Sequence, residues 1–183
     1  PRLRVLQDQV RASDDGKTRI SLGFDLPGQL RNLRWEAREL TAPAADELDI
    51  EVRATGLNFR DVLNALGMYP GDPGPLGGEC AGRVSAVGPS VTHLRVGDEV
   101  LGVAGGSFAS HVVARAAFVQ PRPAGLSAEE GASFPIAFLT AAFCLDHLAG
   151  LCAGQRVLIL LTDGVNTAGV LEPLKGAEPV LSV

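Results

Sequence analysis

The residues able to do chemistry here fall into three groups. Histidines at 93, 111 and 147 and cysteines at 80, 144 and 152 form the first. Their spacing matches neither a CxxC nor an HxxxH-like zinc pattern, and no arrangement among them reads as a hydrolytic triad. The cysteines read as small apolar packing groups, and His147 as a cation meeting a helix C-terminus. The second group is Asn58, Asp61, Tyr69 and Thr140. Asn58 and Asp61 have N-cap and N3 spacing ahead of an apolar run, so each can satisfy free amides at a helix start. Tyr69, the only tyrosine, precedes Pro70 and on residues alone reads as a turn tyrosine packed on that ring. Thr140 lies in an apolar helix, where a threonine commonly bonds back to a carbonyl four residues earlier. The third is the stretch Leu161 to Gly169, which follows the apolar run Arg156–Leu161. A nucleotide-binding loop would occupy that place, its glycines letting backbone approach a pyrophosphate at a helix N-terminus.

The elements that position these groups are mostly strands. RLRVLQ, TRISLGF, LRWEAREL and DELDIEVRATG read as strands, and ECAGRVSAVG, DEVLGVA and SHVVARAAFVQ continue the series. Turns at Gly88-Pro89 and Gly97-Asp98 separate the later ones. Such regular spacing argues for a sandwich or a partly open barrel. Helices are expected near 58–66, 127–132 and 134–149, the last ended by Gly150. Beyond residue 155 the pattern changes. A buried strand, a poor helix interrupted by Pro173 and a strand at Pro179–Val183 make one βαβ-like unit.

Composition sets the bounds. The chain has 183 residues, 46% apolar and 20% charged, close to the globular average, which excludes wholesale disorder. Gly 22 and Pro 12 make about 19% of the chain against roughly 12% in an average protein, in keeping with many turns. The net charge is −5, and the basic residues are scattered singly, so no nucleic-acid partner is expected. The N-terminus lacks the apolar core of a signal peptide, and the longest apolar stretch is about half a membrane span. The expectation is a soluble cytoplasmic protein without a membrane partner, cut from a longer polypeptide because it starts at Pro1.

Gly56-Leu57-Asn58-Phe59-Arg60-Asp61, followed by Leu66-Gly67-Met68-Tyr69-Pro70-Gly71, resembles the enoyl-reductase domain of modular polyketide synthases. That family is a zinc-free branch of the medium-chain reductases related to quinone oxidoreductase. Gly77-Gly78-Glu79-Cys80-Ala81-Gly82, Val87-Gly88-Pro89, Gly97-Asp98-Glu99-Val100 and Pro135–Ala141 extend the likeness over roughly residues 1–160. The resemblance implies a mainly β fold with some α. Residues 1–155 would form a GroES-like, partly open barrel that binds substrate, and 156–183 a short Rossmann remnant. Zinc-dependent relatives carry a cysteine near the position of Asn58 and a histidine at the Gly78-Glu79 segment. Neither is present, so no metal is expected.

By the same resemblance Tyr69 lies beside the substrate α-carbon as a candidate proton donor. Hydride addition at the β-carbon leaves an enolate that needs a proton from a positioned acid. Asp61 is a second catalytic candidate, and Asn58, Phe59, Met68 and Thr140 are candidate substrate contacts. The family's cofactor is NADPH. Here the loop reads Asp163, Gly164, Val165, Asn166 where relatives carry a glycine-rich run, with Gly169 further on. A carboxylate at Asp163 would repel a pyrophosphate, so no cofactor is expected to bind. The implied partners are an acyl carrier protein bearing a phosphopantetheine-bound polyketide and neighbouring synthase domains. Three functions stay open: a structural pseudo-reductase, a cofactor-free isomerase or cyclase using Tyr69 with Asp61 or a histidine, and a fragment of an active reductase.

Overall fold

The computed structural model describes residues 18–39, 41–152 and 154. Its contacts divide the chain into a main body ending at Phe138 and a second unit from Leu139. The RLRVLQ segment and the whole βαβ-like unit lie outside the described residues.

In the main body the strands are β1 (Thr18–Gly23), β2 (Arg34–Glu39), β3 (Glu47–Thr55), β4 (Glu79–Val87), β5 (Glu99–Val103), β6 (His111–Arg115) and β7 (Val119–Pro121). Helix α1 (Phe59–Ala65) links β3 to β4, and α2 (Ala128–Ala132) follows β7. Strands β1 and β2 form a separate antiparallel pair. The other five form one sheet in the order β6-β3-β4-β5-β7.

The sequence reads SHVVARAAFVQ as one strand, but the chain breaks there. Three residues in a 3-10 turn, Ala116–Phe118, separate β6 from β7. Those two strands are the opposite edges of the sheet. The four steps from Arg115 to Val119 span at most about 14 Å, whereas the edges of a flat five-stranded sheet stand about 19 Å apart. The sheet must therefore curl until its edges approach, giving a mainly β, GroES-like, partly open barrel. Buried Ala116, whose N–H bonds the Asp46 carbonyl at 2.9 Å, makes the corner.

Alternation fills the interior. Leu48 and Ile50 of β3, Cys80 and Val84 of β4, Val100 of β5, Val112 of β6 and Val119 of β7 meet in one core cluster with Leu94. The β1–β2 pair is tied to the barrel by backbone. Leu22 N donates to Phe108 O at 2.7 Å, and Ser110 N to Ile20 O at 2.8 Å. Beneath it Arg19 and Asp49 form an almost fully buried ion pair at 2.7 Å, and the Ser85 hydroxyl donates to Asp49.

The expected long helix is shorter and changes type. It runs α-helically as α3 over Pro135–Ala142 and continues as a π-helical segment over Phe143–Leu148. Proline opens it because a missing N–H costs nothing in a first turn. In the second unit Phe143 stacks on His147 with ring centroids 5.0 Å apart. Among the described residues no helix is long and apolar enough to cross a membrane.

Candidate functional site

Asn58 adopts an extended backbone, φ −106° and ψ 153°, and serves as the N-cap of α1. Asp61 at N3 reaches back, its Oδ2 accepting the Asn58 N–H at 3.0 Å, one arm of a capping box. The other oxygen accepts the Gly77 N–H at 2.9 Å. Asp61 is 2% exposed, so its carboxylate is spent on backbone amides.

The side chain of Asn58 turns to a residue that the reading of the sequence passed over. Its Nδ2 donates to Glu79 Oε1 at 2.9 Å. Glu79 Oε2 accepts the Ile136 N–H at 2.8 Å, and the residue is 4% exposed. Its backbone carbonyl accepts from the Thr55 and Ser107 hydroxyls, both at 2.9 Å. One buried acid thus fixes the start of α1 and the start of α3. The signal available beforehand was a lone charge opening the otherwise small and apolar run Glu79-Cys80-Ala81-Gly82. Beside it, burial and then the charge of Glu79 push the Cys80 thiol up to about 12.

Tyr69 lies beyond the other end of α1. It is half-buried and lines a cleft of about 510 Å³. Leu22, Glu36 and Arg38 of the β1–β2 pair form one side, and Asn64 with the Pro73–Leu76 segment another. Among the described residues the Tyr69 hydroxyl has no hydrogen-bond partner, which leaves the phenol available to a ligand. Asn58, Phe59, Asp61 and Met68 do not line this cleft. Phe59 and Met68 project outward, 73% and 66% exposed, and Leu57 is 72% exposed. The expected site therefore divides into a Tyr69 cleft and an Asn58–Glu79 corner.

Thr140 is exposed on α3, within the second unit. His93 contacts the Ala116 carbonyl at 3.2 Å and His111 the Ser110 hydroxyl at 3.3 Å, so neither joins Tyr69. Among the described residues no group of three His, Cys, Asp or Glu side chains could hold a metal. Asp163, Gly164, Asn166 and Gly169 lie outside the described residues.

The alcohol dehydrogenase GroES-like domain matches residues 44–124. The pikromycin polyketide synthase component PikAII of Streptomyces venezuelae is 50% identical over 125 residues, 68% of this chain and 3% of that protein. Erythronolide synthase EryA2 of Saccharopolyspora erythraea is 40% identical over 185 residues, 100% of this chain and 5% of that protein. The chain thus spans a small fraction of these multidomain relatives. Among solved structures, CurK enoyl reductase superposes with a TM-score of 0.71 at 39% identity, over 77% of this chain and 46% of that one. Escherichia coli quinone oxidoreductase complexed with NADPH superposes with a TM-score of 0.63 at 33% identity, over 72% and 41%.

Proposed function

Given that this chain is an enoyl-reductase-like domain homologous to those of modular polyketide synthases, we propose that it binds a carrier-borne acyl chain without reducing it. Residues 1–155 then act as the substrate-binding part and 156–183 as a nucleotide-binding remnant. The observation that carries the reading is the Tyr69 phenol, which among the described residues has no hydrogen-bond partner and lines a cleft large enough for an acyl-pantetheine arm. The ligand is a polyketide thioester on an acyl carrier protein, and the domain fills the reductase position among its cytoplasmic neighbours. The relatives' cofactor is left out because the sequence has Asp163 and Asn166 where the resemblance implies glycines, and Pro173 would interrupt a following helix. That part of the reading rests on sequence.

A second reading is an enzyme of changed chemistry, and one structural neighbour is named for a reaction other than reduction. CurF ER cyclopropanase of the curacin A pathway superposes at 34% identity with a TM-score of 0.68. In a cofactor-free isomerase the Tyr69 phenol would give a proton to the α-carbon while a base removes one from the γ-carbon. Asp61 is too committed for that base, and the carboxylates lining the Tyr69 cleft are Glu36 and Asp72.

Crotonyl-pantetheine separates the readings. Calorimetry should show saturable binding, with the double bond unmoved. Tyr69→Phe should weaken binding several-fold, as loss of one hydrogen bond does, without changing stability. Double-bond migration that Tyr69→Phe abolishes would establish the isomerase instead. No binding at all would overturn both.

A further inference from the structure

We propose that Arg60 and Asn64, with Asp61, are positioning residues that build the Tyr69 cleft by gripping its wall through backbone atoms. The inference rests on the cleft being a ligand site. The wall is the strap Pro73-Gly74-Pro75-Leu76-Gly77. Pro73 and Pro75 have no N–H to give. Gly74 and Gly77 sit at φ +65° and +87°, outside helix or strand geometry. The strap therefore cannot pair as a strand, yet its carbonyls still need donors.

Backbone donors serve the strap's C-terminal end, Phe108 N giving to Leu76 O at 3.4 Å and Gly106 N to Gly77 O at 3.0 Å. Side chains of α1 hold four of its carbonyls. Arg60 Nη1 donates to Pro73 O at 2.9 Å. Its Nη2 donates to Pro75 O at 3.1 Å and to Gly77 O at 3.2 Å. Asn64, one turn further on the same helix face, donates from Nδ2 to Gly74 O at 2.9 Å. Asp61 Oδ1 takes the Gly77 N–H and stands 3.4 Å from Arg60 Nη2. Three residues within five positions thus hold four carbonyls and one amide of a five-residue strap. Pro73, Gly74, Pro75 and Leu76 in turn line the cleft beside Tyr69. Arg60 does not line it and so acts through the strap. The guanidinium fork spreads its donors over two rigidly held nitrogens that reach three diverging carbonyls, whereas a lysine ammonium offers its three donors from one point on a flexible stem.

The test compares Arg60→Lys, Arg60→Met and Asn64→Ala with the wild-type chain. Fluorotyrosine incorporation gives a single fluorine resonance, because Tyr69 is the only tyrosine. Arg60→Met should move that resonance and speed amide exchange at least tenfold at Gly77, whose N–H Asp61 holds beside Arg60, with β3 and β4 unchanged. It should also weaken crotonyl-pantetheine about tenfold. Arg60→Lys should fall between it and wild type, and methylguanidinium should restore part of the affinity to Arg60→Met. A merely structural arginine would lower the melting temperature without shifting the resonance in the folded variant. Unchanged resonance and exchange in folded Arg60→Met would overturn the proposal. If that variant does not fold, unchanged readouts in both Arg60→Lys and Asn64→Ala would do so. Failure of wild type to bind the probe would overturn the functional reading, while resonance and exchange still judge the clamp.

Discussion

The Asn58 side-chain amide and the Glu79 carboxylate meet at 2.9 Å, and the second oxygen of Glu79 holds the Ile136 N–H at 2.8 Å. Segments 21 and 57 residues away are thereby fixed by one acid. The bond is charge-assisted and its acceptor is buried, a setting in which losing that acceptor costs more than an average hydrogen bond contributes. Glu79→Gln retains the volume but presents an NH₂ to one of the two donors. Thermal unfolding should register a loss of about 1–3 kcal/mol, with faster exchange at the Ile136 amide. An unchanged melting temperature would show that Glu79 is not the tie described.

Gly56 makes room for that acid. A Cβ there would lie 2.5 Å from Glu79 Oε1 and 2.7 Å from the Ala132 carbonyl oxygen. The second neighbour is backbone and cannot rotate away. Gly56→Ala should therefore destabilise the barrel by about 1–3 kcal/mol, in the range of overpacked cores. Equal stability by chemical denaturation would refute the close packing of β3 against α2.

Cys80 gives the fold a pH dependence at alkaline pH. The thiol ionises at 9.0 when exposed and at about 12 in the folded chain. Between about pH 9 and 12 the unfolded chain releases a proton that the folded chain keeps. Stability should fall as pH rises through that window, by up to about 1.4 kcal/mol per unit. Cys80→Ala should remove that part of the slope. Below pH 9 Cys80 should also resist thiol reagents that modify exposed Cys152, because its thiolate is scarce and buried.

The parts legible in the sequence were those with local causes. The run DELDIEVRATG announced β3, and the spacing of Asn58 and Asp61 announced the start of α1. The corner at Ala116–Phe118 was not legible, because its reason is closure of a sheet whose edges lie on separate strands. Glu79 escaped notice because its partners lie far along the chain. The same holds for Arg60, which bonds carbonyls 13 to 17 residues away in a strap with no periodic signature. Asp61 drew a catalytic reading from its motif, and its burial among backbone amides became visible only in three dimensions.

The most direct test of the central claim is a calorimetric titration of the purified chain with NADPH. No saturable binding is expected up to millimolar cofactor, since the sequence carries Asp163 in the stretch expected to be the nucleotide loop, where a carboxylate would repel a pyrophosphate. Saturable binding in the micromolar range, about −8 kcal/mol, would contradict it and make this chain a cofactor-binding reductase.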